Sequence, residues 1–163
     1  MNVWYSLSDI PGNEASVVTI GNFDGMHNGH KKVISTCIER AHKLGVDAVA
    51  ITFDPHPIQV HKPEVGLQLI SPLRDRLDAM AAAGLDATLV AHYDASVYSL
   101  EAEEFVYEYL VERCGAREVV VGEDFRFGRG NAGTIDTLRE LGRRYGFNVI
   151  TVTDIEAPEG RRW

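Results

Sequence analysis

Apolar runs alternate with amphipathic segments along most of this chain of 163 residues. The runs are rich in Val, Ile and Ala, and they predict five strands, at residues 17–21, 47–53, 87–92, 118–121 and 147–152. Near-continuous apolar runs of this kind are typical of parallel strands that are buried on both faces of a sheet. The strands are therefore expected to form the centre of the domain.

Four helices are predicted between these strands, at residues 29–44, from 71 to 83, 100–114 and 134–145. In the first, Val33, Cys37 and Ala41 recur at intervals of four and share one face. Ser71 and Pro72 suit the N-cap and first position of the second helix. The alternation predicts a Rossmann-like, doubly wound α/β fold with a parallel sheet covered on both faces.

Two glycine-dense loops follow the first and fourth predicted strands, at residues 21–30 and 122–133. If the strand order is 3-2-1-4-5, these two strands are neighbours where the order reverses. Ligands of doubly wound sheets bind at that point, beyond the carboxyl ends of the strands. The sequence therefore predicts that the two loops face each other across one crevice.

The first loop has the sequence GNFDGMHNGH, with His27 and His30 three residues apart at the start of a helix. Its glycines allow close approach of backbone to a ligand, and the helix N-terminus favours an anion. The loop matches neither the dinucleotide fingerprint nor the Walker A pattern. We interpret it as a phosphate site; the alternative is a glycine-rich turn that only packs tightly.

Net charge and composition limit the classes of function that are expected for this chain. The formal net charge of -8 argues against a broad nucleic-acid surface, although Lys31, Lys32, Arg126 and Arg129 could make the crevice locally positive. The chain shows no signal peptide and no apolar run of about 20 residues, so we expect a cytoplasmic protein without a membrane partner. Cys37 and Cys114 fall at apolar helical positions and are predicted to be buried thiols.

Three blocks together carry a family resemblance: GNFDGMHNGH, then FDPHP at residues 53–57, then VVVGEDFRFGRG at residues 119–130. The first resembles the H-x-G-H signature of the nucleotidylyltransferase superfamily. The set is similar to the N-terminal module of bacterial bifunctional riboflavin kinase/FMN adenylyltransferase, or FAD synthetase. H-x-G-H alone would leave several adenylyl- and cytidylyltransferases open.

The resemblance implies transfer of AMP from ATP to FMN, giving FAD and pyrophosphate, with Mg²⁺ bridging the phosphates. His27 and His30 would donate hydrogen bonds to phosphate oxygens as catalytic residues, and no protein residue is implied as a metal ligand. The ATP-binding residues implied are Gly21, Asn22, Phe23, Asp24, Gly25, Gly29, Gly122, Asp124 and Arg129. The FMN-binding residues implied are Phe53, His56, Phe125 and Phe127.

Alternatives stay open at several of these positions. Phe125 and Phe127 could equally be core residues, and Arg126 and Arg129 could be solvated charges. His56 could be exposed in a rigid turn, within residues 54–68, which are predicted as the longest irregular segment. The chain could also use another phosphate acceptor, or bind nucleotide or flavin without turnover.

Three further histidines lie outside these motifs. His42, His61 and His92 carry no pattern, and we expect them to be solvated or satisfied histidines. Residues 1–163 are interpreted as one nucleotidylyltransferase domain, truncated at its C-terminus. In the family a Ser-Ser-Thr-x-x-Arg segment that holds triphosphate oxygens would begin where this chain ends. A riboflavin kinase domain, absent from this chain, is expected after it in the parent protein.

Overall fold

The fold is that of a computed structural model, which describes residues 1–12, 14–23, 28–55, 57–61 and 72–153. The strands are β1 (Asn2–Trp4), β2 (Ser16–Ile20), β3 (Asp47–Asp54), β4 (Ala87–His92), β5 (Ala116–Gly122) and β6 (Asn148–Val152). The helices are α1 (Asn28–Leu44), α2 (Pro57–His61), α3 (Leu73–Ala83), α4 (Ala95–Tyr98), α5 (Ala102–Phe105) and α6 (Ile135–Tyr145). A π-helix, Val106–Arg113, continues α5, and two short 3₁₀-helices cover Leu7–Asp9 and Arg129–Asn131.

All pairings of the sheet are parallel, and its order is β1-β4-β3-β2-β5-β6. The predicted order 3-2-1-4-5 corresponds to β4-β3-β2-β5-β6 and is confirmed. The predicted count of five strands is wrong, because β1 adds a sixth strand beside β4 in the described part of the chain. β1 has only three residues, half-buried or exposed, and so gives no apolar run in the sequence.

Helices cover both faces of the sheet, as predicted. Val17 of β2 packs with Ile34 and Cys37 of α1 on one face, where α3 also lies. Val18, the next residue of β2, belongs to the core of the opposite face, which the π-helix and α6 cover. Successive side chains of a strand point to opposite faces, so a strand with two buried faces needs an unbroken apolar run.

The helix predictions need three corrections. The second helix begins at Leu73, so Pro72 occupies the cap position, and Ser71 lies outside the described residues. The third is a short α-helix followed by a π-helix, with Glu101 capping it through a reciprocal bond to Glu104. The segment predicted as irregular contains the helix α2. Short elements such as these depend on tertiary packing more than on periodicity.

Candidate functional site

A cavity of about 690 Å³ opens beyond the carboxyl ends of β2, β3, β4 and β5. This volume is within the range of small-molecule sites in proteins. Its aromatic residues are Phe53, Tyr93, Tyr98, Phe105, Phe125 and Phe127. Polar groups are contributed by Asn22, His61, Arg126 and Asn131. A mostly apolar wall with a few polar groups is the usual composition of a ligand pocket.

Both glycine-dense loops contribute to this cavity. Gly21 and Asn22, directly after β2, form part of one side, and the loop that follows β5 supplies Phe125, Gly128 and Asn131. The described parts of both loops therefore line one crevice, in agreement with the prediction. The position follows from the strand order, since β2 and β5 are neighbours where the order reverses.

Stacked aromatic rings form the wall on the side of β5. Phe125 lies parallel to Phe127, with ring centroids 5.5 Å apart and planes 12° apart. Phe127 also contacts Phe105 of α5, at 6.2 Å between centroids. Phe127 is buried and belongs to the core, whereas Phe125 is half-buried. Phe127 is therefore both a core residue and a residue of the cavity wall.

A second aromatic group forms the wall on the side of β3 and β4. Tyr93 contacts Phe53, His61 and Tyr98, at centroid distances of 5.8, 5.5 and 5.6 Å. The hydroxyl of Tyr93 and Nε2 of His61 are 2.8 Å apart and form a hydrogen bond. Burial raises the pKa of Tyr93 above its ordinary value.

Of this second group, only Phe53 was implied as a ligand residue by the sequence; His61, Tyr93 and Tyr98 were not. His61 was expected to be solvated or satisfied; it is hydrogen-bonded, as a satisfied histidine would be, but it also lines the cavity on α2. Tyr93 and Tyr98 carry no motif, although both follow the carboxyl end of β4. The position of these two tyrosines after a strand could have indicated that they belong to the site, because the carboxyl ends of parallel strands meet at one edge of the sheet.

The implied ligand residues other than Phe23 divide into four groups by location. Gly21, Asn22, Phe53, Phe125 and Phe127 line the cavity. Gly29 and His30 lie in the first turn of α1, and Gly122, Asp124 and Arg129 lie near the cavity without lining it. Asp24, Gly25, His27 and His56 lie outside the described residues.

Phe23 turns its side chain away from the cavity. Its φ is 53°, its ring is 1 % exposed, and it packs in the core beneath α1. The imidazole of His30 meets this ring edge to face, with 5.6 Å between centroids. Positive φ is uncommon for a residue with a side chain, and here it redirects the backbone between β2 and α1. Phe23 thus connects the end of β2 to the first turn of α1 through its contact with His30.

The loop after β5 places its charged residues at the surface. Arg129 is exposed and its Nη1 lies 3.7 Å from a carboxylate oxygen of Glu101. Asp124 is exposed in a shallow depression beside Thr134. Arg126 is exposed as well, but it contributes to the cavity wall. Of the two arginines, Arg126 is therefore the one that lines the cavity.

A buried arginine that was not predicted from the sequence, Arg76, hydrogen-bonds to the backbone of two residues that line the cavity. Arg76 of α3 is 2 % exposed, and its Nη1 donates to the carbonyl oxygens of Asn22, at 3.0 Å, and Phe53, at 3.3 Å. Its Nη2 lies 3.6 Å from Oδ1 of Asp54. Arg76 lies four residues before the buried Met80 on α3, so helical periodicity placed it on the buried face.

Neither a metal cluster nor a membrane segment is found in the described ranges. No three His, Cys, Asp or Glu side chains among those residues converge as metal ligands. Within the same ranges, no helix has the length and apolar character that crossing a bilayer requires.

The family model described as FAD synthetase matches residues 9–161 of the chain. A provisionally named bifunctional riboflavin kinase/FMN adenylyltransferase from Geobacillus thermodenitrificans is 40% identical over 153 residues, which are 94% of this chain and 78% of that protein. A Buchnera aphidicola protein named as a bifunctional riboflavin kinase/FMN adenylyltransferase is 34% identical over 86% of this chain and 45% of its own length.

Among solved structures, a Streptococcus pneumoniae protein described as a macrolide-efflux protein superposes with a TM-score of 0.82 at 25% identity. The superposition covers 98% of this chain and 51% of that one. The chain thus spans about half the length of several curated relatives that it matches. It also spans about half the length of the Streptococcus pneumoniae protein in this solved structure.

Proposed function

The chain belongs to the FAD synthetase family, and from this premise we propose that it is an FMN adenylyltransferase, which transfers AMP from ATP to FMN. The products are FAD and pyrophosphate. The parent protein is proposed to carry a riboflavin kinase domain as well, because relatives of about twice the length are named for both activities. We propose the cytoplasm as its location.

The observation that carries this proposal is the aromatic cavity at the switch point of the sheet. A flavin is a flat aromatic ring system with polar edges, so it suits a pocket with aromatic walls and a few hydrogen-bonding groups. Phe53 and Tyr93 line this cavity together with Phe125 from the loop after β5. We assign the isoalloxazine ring of FMN to the space between them, with His56 as a further FMN-binding residue.

Adenylyl transfer depends more on the alignment of the two substrates than on acid–base catalysis by protein side chains. An oxygen of the FMN phosphate attacks the α-phosphorus of ATP, a new P–O bond forms, and the bond to the β-phosphate oxygen breaks to release pyrophosphate. A phosphate monoester has a second pKa of about 6, so the nucleophile is already ionised at neutral pH and needs no general base. The protein must therefore hold the two phosphates in line and stabilise the negative charge that moves to the pyrophosphate.

The start of α1 is proposed to hold the triphosphate. α1 has 17 residues, and its free N–H groups and positive dipole end favour phosphate oxygens. His30 lies in its first turn, and His27 precedes the helix in sequence; we propose both as donors to the α-phosphate and the departing pyrophosphate. Mg²⁺ is proposed to arrive with ATP, since it is commonly bound through substrate phosphates.

The remaining ATP-binding residues are proposed by their nearness to this helix. Gly21, Asn22 and Phe23 lead from β2 towards α1, and Asp24, Gly25 and Gly29 belong to the same loop in sequence. Gly122, Asp124 and Arg129 are proposed to approach the nucleotide from the loop after β5. Asn22, which also lines the cavity, would lie between the two substrates.

Product analysis tests this proposal. The chain is incubated with ATP, Mg²⁺ and FMN, and FAD is separated by chromatography; parallel reactions replace FMN by riboflavin or by phosphopantetheine. A longer form with the Ser-Ser-Thr-x-x-Arg segment of the family is assayed beside it. We expect FAD only with FMN. Product with phosphopantetheine would indicate another acceptor, and ATP or FMN binding without product from either form would indicate a binding protein.

A further inference from the structure

The guanidinium of Arg76 joins the ends of two strands that border the cavity. Nη1 donates to the carbonyl oxygen of Asn22, after β2, and to that of Phe53, in β3. The same nitrogen lies 3.2 Å from Oγ1 of Thr52, which in turn donates to the carbonyl oxygen of Asn22 at 3.1 Å. One side chain from α3 thus connects the two strand ends at several points.

The burial of this group makes the connection rigid. Arg76 and Thr52 are 2 % and 0 % exposed, so water does not replace these bonds when one of them is stretched. Loss of one partner would leave a buried charge uncompensated, which is strongly unfavourable and holds the network in a single arrangement. The carboxylate of Asp54 at 3.6 Å from Nη2 gives the guanidinium a counter-charge on the same strand.

The two residues whose backbone Arg76 holds belong to the proposed ligand site. Asn22, directly after β2, and Phe53, within β3, both line the cavity, and they lead to different parts of the site. Asn22 continues towards α1 and the triphosphate, whereas Phe53 is part of the aromatic wall. A displacement of one strand end relative to the other would therefore move the nucleotide side of the site relative to the flavin side.

We propose that Arg76 is a positioning residue for adenylyl transfer. By holding the backbone of Asn22 and Phe53 together, it fixes the proposed triphosphate site at the start of α1 relative to the aromatic wall proposed to bind the flavin. This inference rests on the proposed function and adds to it a residue that touches neither substrate. Its guanidinium works through backbone carbonyls, so the shape of the donor group matters as well as its charge.

Arg76→Met tests the proposal, because methionine fills similar space without donors. We expect the Kd for FMN, measured by quenching of flavin fluorescence, to rise about tenfold, and kcat for FAD formation to fall about tenfold or more, since small displacements of aligned groups are costly. Arg76→Lys keeps the charge but not the planar fork of donors. We expect it to restore part of the loss only.

Arg40→Met provides the matched control. Arg40 of α1 donates twice to Glu118 of β5, at 2.7 Å each, and neither residue lines the cavity. We expect this variant to lose stability while its FMN Kd and kcat stay within twofold of the original. If Arg76→Met fails to fold, Thr52→Val replaces it, with an expected rise in FMN Kd of about threefold.

The outcomes separate the two proposals. FMN binding and turnover by the original chain, together with Kd and kcat effects confined to Arg76 and Thr52, would support the positioning role. Unchanged FMN Kd and kcat in Arg76→Met, or equal effects in Arg76→Met and Arg40→Met, would overturn it and leave the proposed function standing. Full recovery in Arg76→Lys would overturn the requirement for a planar donor. Absence of FMN binding in the original chain would overturn both proposals.

Discussion

At the scale of single residues, His30 has a defined structural setting. It lies in the first turn of α1 and packs edge to face against the buried ring of Phe23. A histidine held there suits a donor to phosphate oxygens at the helix N-terminus. The packing contact with Phe23 is a structural role that the sequence pattern did not reveal.

We expect His30→Ala to lower kcat for FAD formation by about 10²–10³-fold, as loss of a donor to developing negative charge does in other enzymes. The control is His42→Ala, since His42 is exposed near the other end of α1. Initial rates at saturating ATP and FMN give the comparison, with thermal unfolding to verify folding. A decrease of less than threefold in His30→Ala would contradict the role.

Phe125 offers a second test at this scale. Its half-buried ring stacks on Phe127 and lines the cavity, so Phe125→Ala removes one aromatic surface from the wall. Stacking on an aromatic side chain is worth about 1–3 kcal/mol per base in nucleic-acid complexes, and we expect a comparable loss, about tenfold, in FMN affinity. Fluorescence titration measures it.

The control for Phe125→Ala is Tyr107→Ala. Tyr107 is an exposed aromatic residue that contacts Tyr145 outside the cavity. Equal FMN affinity in the Phe125→Ala, Tyr107→Ala and original chains would show that the wall does not bind the flavin ring.

At the scale of elements, the loop after β5 owes its shape to one close pair. Phe127 and Gly133 exchange two backbone hydrogen bonds, at 3.1 and 2.8 Å, which close the loop beside the cavity. A Cβ atom on Gly133 would lie 2.8 Å from the ring of Phe127, closer than packing allows. Glycine at this position therefore lets the aromatic wall form.

Gly133→Ala is expected to reduce the free energy of unfolding by about 1–3 kcal/mol, the usual cost of overpacking a core. Gly122→Ala is the control, because a Cβ there meets no atom within 4 Å. We expect it to change stability by less than about 0.5 kcal/mol. Urea denaturation of the three proteins measures both, and equal midpoints would contradict this account of the loop.

The sequence predicted long elements well and short ones poorly. The apolar face of α1 and the unbroken apolar runs of β2 to β6 predicted these elements, and the strand order assumed for them is confirmed. β1, α2 and α4 have three, five and four residues, too few for a period to be recognised. The π-helical geometry after α5 also has no signature in the residues themselves.

At the scale of the whole molecule, the site depends on contacts between distant parts of the chain. The sequence predicted the crevice from two glycine-dense loops, and the strand order brings them together. It did not predict Arg76, Tyr93 or His61, since what these residues contact is decided by how α3, β4 and α2 pack. Motifs identify residues within one loop, whereas a cavity wall is assembled from several.

Burial of both thiols gives a prediction for the molecule's stability against pH. Cys37 and Cys114 are buried and unpaired, as predicted, and burial raises the pKa of each from 9.0 to about 12. Unfolded thiols ionise at lower pH, so the folded state binds more protons between pH 9 and 12. Stability that is fully present below pH 9 should therefore be lost as the pH rises towards 12.

Urea denaturation at several alkaline pH values measures this loss. We expect the free energy of unfolding to fall less steeply with pH in the double variant Cys37→Ala/Cys114→Ala than in the original chain, because the two titrating groups are absent. Equal slopes in the two proteins would show that these thiols do not contribute.

The central claim is that this cavity and the start of α1 together move an adenylyl group onto the phosphate of a flavin. The most direct measurement uses ATP labelled at the α-phosphate, with Mg²⁺ and FMN, and follows the label by chromatography. We predict that the label moves into FAD, that pyrophosphate is released unlabelled, and that riboflavin, which has no phosphate, accepts none. Label that never enters FAD, or that is transferred equally to riboflavin, would contradict the account.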